Sequence, residues 1–298
     1  MATKQVIPKE MTTGAFHALM LSAVAPRPIA FASTIDTNGQ VNLSPFSFFN
    51  AFGSNPPLLI FSPARRVRNN TTKHTLQNVE AVPEVVINIV NYAMVEQMSL
   101  ASTEYDKGVN EFIKAGFTPA TSSLVKPPRV AEAPVAFECK VNQVIHTGQE
   151  GGAGNLILCE ILMMHVNEAI LDEEGKIDQH KIDLVARLGG SWYCRASGEA
   201  LFEIPKPLAT KGVGVDALPQ HVLNSTILTG NNLGRLGNVE KQPTSEEVAA
   251  YSQQEEIKKI QLQTKDSEAT FRKALHQLAQ KHIEANRLKE AWLTLLQM

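Results

Sequence analysis

A chain of 298 residues can bury about three quarters of its unfolded surface, so it needs no disulfide or metal staple to fold. At 43% hydrophobic and 19% charged residues it is too apolar for a disordered chain, and no run of about 18 apolar residues offers a membrane-spanning helix. With 28 Lys and Arg against 30 Asp and Glu, the formal net charge of −2 argues against general nucleic-acid or anionic-membrane binding, so any anion site must be local.

In chain order, residues 1–10 carry charges and a proline and lack the apolar core of a signal peptide, so a cytoplasmic location is expected. From residue 26 to about 193, short apolar runs are punctuated by Gly, Pro and Asn, the pattern of an antiparallel β protein with inserted helices. Ile29, Phe31, Ser33 and Ile35 share one face of a first strand that ends at Asp36, Thr37, Asn38 and Gly39, where Asn-Gly offers the positive φ angles of a tight hairpin. In residues 42–50 polar and aromatic side chains alternate. A strand there puts Asn42, Ser44 and Phe46 on one face and Leu43, Pro45 and Ser47 on the other. Pro45 cannot donate to a ladder, so it marks an edge or a bulge where main-chain amides can meet a ligand. Such amides suit the ring edge of a flat heterocycle such as a flavin; the alternative for Phe46, Phe48 and Phe49 is plain core packing. Further strands are expected at 58–62, 85–90, 135–146 and 156–166, with helices near 72–81, 92–102 and 110–114. A hairpin loop is expected at 148–154 and a turn at 172–175. Roughly six strands without regular βα alternation predict a barrel rather than a doubly wound parallel sheet.

Between Asp36 and Glu80 the sequence has no acidic residue, yet Arg65, Arg66, Arg68 and Lys73 all fall there. They lead from the 58–62 strand into a helix start rich in hydroxyls, at Thr71, Thr72 and Thr75. Free amides at a helix start together with planar guanidinium donors suit a phosphate monoester. The alternative is a solvated basic turn with Thr72 as helix cap. No GxSxG elbow, HExxH or P-loop is present, and Gly212-Val213-Gly214 neither follows a clear strand nor opens a helix. His165 is expected in a strand and His276 and His282 on the last helix, with no pair at metal spacing, so no metal site is expected. Cys139, Cys159 and Cys194 form no CxxC pair and read as buried free thiols.

Beyond the barrel, residues 201–238 are rich in Pro and Gly and read as an extended strap, including Ile204, Pro205, Lys206, Pro207 and the Gly212, Gly214 pair. Thr244 and Glu247 form a capping-box signature at a helix start. A further helix over 267–296 places Phe271, Leu275, Leu278, Ala285, Leu288, Trp292 and Leu295 on one stripe, to be buried on its own core, on the preceding helix or on a second copy of the chain. The expected division is a domain over 1–200 and a strap and helical extension over 201–298.

Residues 27–34, 42–50 and 55–57, then Lys73, His74, Thr75 and Asn78, then 105–118, 128–130 and 134–139, and finally Arg187, Leu188, Gly189, Gly190 and Tyr193 resemble, in order and spacing, the flavin reductase-like family of FMN-binding split β-barrels. The resemblance covers roughly residues 7–193, and no motif of it reaches beyond about residue 198. It implies a mainly β fold with inserted helices, a split barrel with Greek-key connections, carrying here an α-helical C-terminal extension. It also implies FMN bound near a homodimer interface and NADH or NADPH as hydride donor, the activity of an NAD(P)H:flavin oxidoreductase passing electrons to a further acceptor. An FMN-binding electron carrier or a non-catalytic flavin-binding module is the alternative. The cofactor-binding set it implies is Arg27, Ser33, Thr34 and Asn42; Ser44, Ser47, Phe48, Phe49 and Asn50 toward the ring edge; and Ser62, Arg65, Lys73, His74 and Thr75 toward the phosphate. His74 stands where the family more often has Asp. Hydride transfer between stacked rings demands no acid–base pair, so no catalytic residue is assigned.

Overall fold

The computed structural model describes residues 2–204 and 210–298, so Pro205, Lys206 and Pro207 of the expected strap lie outside the described residues. The chain divides into two units, Met1–Phe202 and Glu203–Met298. No helix among the described residues is long and apolar enough to cross a membrane.

The first unit opens with α1 (Thr13–Ala23), whose start is capped by the Thr12 side chain accepting from Ala15 N. There follow β1 (Ala30–Ile35), β2 (Val41–Phe46), β3 (Phe49–Ser54), β4 (Pro57–Phe61), α2 (His74–Ala81), β5 (Glu84–Ile89), α3 (Val95–Leu100) and α4 (Glu111–Ala115). The short pair β6 (Pro119–Ala120) and β7 (Arg129–Val130), the long hairpin β8 (Val135–His146) and β9 (Asn155–Val166), and the pair β10 (Val185–Arg187) and β11 (Tyr193–Arg195) complete it. Seven strands form one antiparallel sheet in the order β2-β1-β5-β8-β9-β4-β3. Its edges are β2 and β3, which only Ser47 and Phe48 separate in the chain. A link that short reaches about 10 Å at most. The sheet must therefore curl until its two edges converge, which makes it a barrel split beside residues 47 and 48.

The pleat decides what fills the barrel. Ala30, Ala32, Phe46, Phe61, Ile87 and Ile157 point into one core with Leu76 and Val79 of α2. Phe31 and Leu43, on the opposite faces of β1 and β2, pack with Met94, Met98 and Phe112 in a second core under α3 and α4. Pro45 lies in an edge strand, as a residue without a ladder donor should. The turn after β1 is wider than a two-residue hairpin: Gly39 has φ 78° and Asn38 keeps a negative φ. The Asp36 carboxylate holds this wider loop by accepting from Asn38 N at 2.8 Å and Gln40 N at 2.9 Å. Cys139 and Cys159 are buried, but Cys194 is only half-buried; all three are free thiols.

The second unit is helical: α5 (Gln220–Leu223), α6 (Gly230–Gly237), α7 (Ser245–Tyr251), α8 (Glu255–Thr264), α9 (Glu268–Glu284) and α10 (Leu288–Leu295). The extended strap expected over 201–238 thus contains two helices. Its glycines belong to a close backbone approach. A Cβ on Gly212 would lie 2.5 Å from Gly237 O, while Gly214 N donates to that same carbonyl at 2.9 Å. The capping box at Thr244 and Glu247 forms as the sequence indicates, and a second one joins Thr229 and Asn232. The single helix expected over 267–296 is broken at Asn286, which takes φ 58°. Leu275, Leu278, Trp292 and Leu295 of its stripe are buried within this unit, whereas Ala285, at the break, is exposed.

Candidate functional site

The corner between β2 and β3 is held from behind by Arg27. Its guanidinium donates to Leu21 O and Val24 O at 2.5 Å each, closing the end of α1, and to Leu188 O at 2.9 Å. With these carbonyls satisfied, the buried Arg27 acts as a clamp whose remaining Nε contact is Ser47 Oγ at 3.5 Å. Burial, then the nearby Arg187, pull its pKa below the usual value. Gly189 is needed at this junction because a Cβ there would lie 2.2 Å from Ser22 Oγ. In front of the clamp a cavity of about 220 Å³ is lined by Pro45, Ser47, Met98, Ser99, Arg187 and Tyr193 among others. The Arg187 guanidinium sits 4.5 Å from the Tyr193 ring centroid and donates to Gly190 O at 2.8 Å. Ile29, Pro45 and Met98 beside the polar Ser47, Ser99 and Arg187 offer both the apolar contact and the polar groups that a planar heterocycle requires.

The second locus is the basic turn between β4 and α2. Ser62 Oγ accepts from Asn155 N at 3.0 Å, Asn155 Nδ2 donates to Pro63 O at 2.8 Å, and Arg65 N donates to Ala153 O at 2.9 Å, so the turn is braced on the β8–β9 loop. Arg66 donates to Thr71 Oγ1 and to Thr72 O, and Arg65 folds onto Asn70 through Oδ1 at 2.6 Å and O at 2.7 Å. The acid-free stretch is not acid-free in space: Glu104 reaches in to pair with Arg66 at 3.0 Å and Arg68 at 2.6 Å. Lys73 has no ion-pair partner among the described residues. Burial first, then Arg66, push its pKa down, with Glu104 only partly opposing. No side chain caps the start of α2, where Lys73 occupies the cap position. Thr72 Oγ1 instead accepts from Gln77 Nε2 at 3.1 Å, so the expected alternative of a Thr72 cap is not realised. A half-buried unpaired ammonium beside an uncapped helix start fits an oxyanion.

The remaining expected residues fall into place around these two loci without forming one pocket. Thr75 accepts from Asn42 Nδ2 at 3.0 Å and Thr34 from Asn78 Nδ2 at 3.1 Å, so all four tie α2 to β1 and β2 inside the protein. Ser33, one residue along, points to the opposite face of β1; it is fully buried and its Oγ has no hydrogen-bond partner among the described residues. Ser44 is half-buried on the Asn42 face, and Phe46 is a core residue whose ring centroid lies 5.4 Å from that of Phe61. Phe49 packs against the same core, Phe48 meets His17 edge-on at 6.1 Å, and exposed Asn50 turns its Oδ1 onto Ala51 N. His74 is half-buried; burial, then Arg66 and Lys107, lower its pKa, so it adds a neutral ring to the turn. Glu104, Met98 and Asn155 are the contributors that a reading of the sequence overlooks, since each comes from a segment distant in the chain.

A sequence profile described as "Flavin reductase like domain" matches residues 21–181. An uncharacterized protein of Aquifex aeolicus is 38% identical over 200 residues, spanning 67% of this chain and all of that protein. The crystal structure of nitrilotriacetate monooxygenase component B from Bacillus cereus superposes with a TM-score of 0.64 at 28% identity, covering 68% of this chain and 100% of that one. The 2-nitrobenzoate 2-nitroreductase of Pseudomonas fluorescens does so with a TM-score of 0.61 at 28% identity, covering 70% and 100%.

Proposed function

The chain belongs to the flavin reductase-like family, whose chemistry is flavin-linked oxidoreduction, and on that premise we propose that it binds FMN and carries hydride from NADH or NADPH to a further acceptor. The observation behind the choice of a phosphorylated flavin is the half-buried, unpaired Lys73 at the uncapped start of α2. When bound, FMN supplies a ring that takes up hydride and passes the electrons on. The chain's own part is to bind and orient. Lys73, Arg65 and the first amides of α2 hold the terminal phosphate, while Ser62, Thr75, Asn42 and Thr34 keep the turn and helix in register with the barrel. Main-chain amides from Ser47 to Asn50, at the split, face the polar edge of the ring, with Ser44 alongside and Met98 and Tyr193 supplying apolar contact. A homodimer in the cytoplasm is part of the same proposal. The similar structures of a nitrilotriacetate monooxygenase component and a nitroreductase support a redox role of this kind.

The test is direct. The purified full chain should bind FMN with a flavin absorbance spectrum and oxidise NADH or NADPH in an FMN-dependent way. Binding with neither oxidation would make it an FMN carrier or binding module, and no measurable affinity for FMN would end the proposal.

A further inference from the structure

The second unit lies beyond the family match and has a cavity of its own, of about 490 Å³, between α5, the turn after it and the first half of α9. Gln220, His221, Asn224, Arg272, Lys273 and His276 are among its lining residues, and no Asp or Glu is. Lys273 is exposed and has no ion-pair partner among the described residues. Arg272 gives one terminal nitrogen to Glu268 at 2.8 Å, but its Nε is buried with no hydrogen-bond partner among the described residues.

The two histidines are set by a third side chain. Ser225 Oγ accepts from Ile227 N at 3.2 Å and Leu228 N at 3.0 Å. Both lone pairs of the hydroxyl are then used, so its O–H must donate to His276 Nδ1, 2.8 Å away. That leaves His276 Nε2 carrying the hydrogen, which it donates to His221 Nδ1 at 3.1 Å. His221 therefore carries its own hydrogen on Nε2. The relay carries the orientation of a half-buried serine hydroxyl in the turn to a ring N–H donor on His221, which lines the same cavity. Burial, then His221 and Arg272, hold His276 down to about 4, and burial and Arg272 lower His221, so both rings are neutral donors at neutral pH.

A lining made of a guanidinium, a free ammonium, a donor imidazole and two amide side chains, with Glu268 outside the lining and engaged on Arg272, presents donors to negative oxygen. We propose that the C-terminal unit contains a second ligand site, separate from the flavin locus, for a small organic anion whose carboxylate or phosphate group sits on Arg272, Lys273 and His221. A binding pocket of this volume accommodates a metabolite-sized molecule.

The experiment uses the full chain labelled with ¹³C on histidine, with the His221 signal assigned through His221→Gln, and two probes, inorganic phosphate and malonate. Saturable movement of the His221 and His276 signals is expected with at least one probe, and the stronger of the two identifies the phosphate or the carboxylate class. Affinity should fall at least tenfold in Arg272→Gln and in the exposed-site variant Lys273→Gln, and remain unchanged in the Arg65→Ala/Lys73→Ala chain. Near-UV circular dichroism verifies that each variant is folded. The proposal is overturned if neither probe moves these signals, if sodium chloride at equal ionic strength moves them as much, or if Lys273→Gln binds as tightly as the unaltered chain.

Discussion

Lys73 matters to the proposed site because it sits in a turn with surplus positive charge. The one carboxylate of Glu104 is shared by Arg66 and Arg68, and Arg65 is bonded to the neutral Asn70, while the ammonium of Lys73 is half-buried with no ion-pair partner among the described residues. An anion at the turn relieves that situation, and contacts of this charge-assisted kind contribute roughly 1.5 to 3 kcal/mol each, or about tenfold or more per residue. Changing Arg65 and Lys73 together to Ala should therefore weaken FMN far more than riboflavin, which lacks the phosphate. Flavin fluorescence titrations of both ligands would expose an error, since equal losses would place the phosphate elsewhere. The basic turn was legible because its cations and the helix start it precedes are contiguous in the chain. Glu104 was not, because nothing in the spacing of a glutamate 38 residues downstream says that the fold returns it to Arg66. Ser33 and Thr34 illustrate a subtler limit. A resemblance marks neighbouring positions together, but a strand sends them to opposite faces, and only Thr34 meets α2.

At the level of elements, the alternation in residues 42–47 proved informative because one face of β2 is committed to the barrel interior and α2 and the other to the core under α3 and α4. That edge strand is also covered from the side, where the buried carboxylate of Glu111 in α4 accepts from Leu43 N at 3.0 Å. Burial raises the Glu111 pKa, with the Leu43 amide partly opposing. Helical periodicity was a poorer guide to ends than to faces. The stripe continues from Leu278 to Trp292 across the break between α9 and α10, and the signal for the break is Asn286, a residue that tolerates the left-handed region in which it sits. It also accepts from the Arg235 guanidinium at 2.9 Å through Oδ1. A β-branched residue is strained in this conformation, so Asn286→Val should lower stability by about 1 to 2 kcal/mol, while Asn286→Gly should stay within a few tenths of the parent. Urea unfolding midpoints test the pair: two equal losses would show that the Arg235 bond, not the backbone conformation, is what Asn286 provides.

Across the whole molecule, each unit has cores of its own, and two consequences follow for how the chain tolerates damage. The second unit's main cluster joins Leu218, Val222, Leu228 and Leu236 to Ala279, Ile283, Trp292 and Leu295, halves that are contributed from before and after Lys241. A chain ending at Lys241 keeps the first half without the second, exposing apolar side chains that should drive self-association. A chain ending at Phe202 removes the unit entirely and keeps the barrel cores intact. Size-exclusion chromatography should find the first truncation aggregated and the second well behaved; the reverse order would contradict the division of the cores.

The units should also differ in acid. His276, buried at 3% exposure, is held down to about 4 by burial, His221 and Arg272, and His221 and His282 in the same unit are lowered as well. The unfolded chain takes up protons on these rings from about pH 6.5 downward, whereas in the folded unit His276 resists until about pH 4. The contribution of His276 is therefore complete above about pH 6.5 and is lost progressively on acidification to about pH 4, by up to about 3 kcal/mol, and the lowered His221 and His282 act in the same direction below about pH 6.5. In the barrel, Glu138 behaves in the opposite part of the scale. Burial opposes its ionisation, but the amides of Ser123 and Leu124, His165 and Val125 N together hold its pKa below the ordinary glutamate value. Its contribution persists down to about pH 4 and falls only below it. Tryptophan fluorescence can separate the two behaviours. Of the two tryptophans, Trp192 is 75% exposed in the barrel unit, while Trp292 is 1% exposed and donates through Nε1 to Leu236 O in the helical unit. In a Trp192→Phe chain the emission of Trp292 reports the helical unit alone. Its urea midpoint should drop between about pH 7 and about pH 4.5, because the neutral imidazoles then face a proton-binding unfolded state. A midpoint that does not move over this interval would mean that the histidines are no more reluctant to protonate in the fold than out of it, and that the relay from Ser225 through the buried His276 to His221 is not held as its hydrogen bonds require.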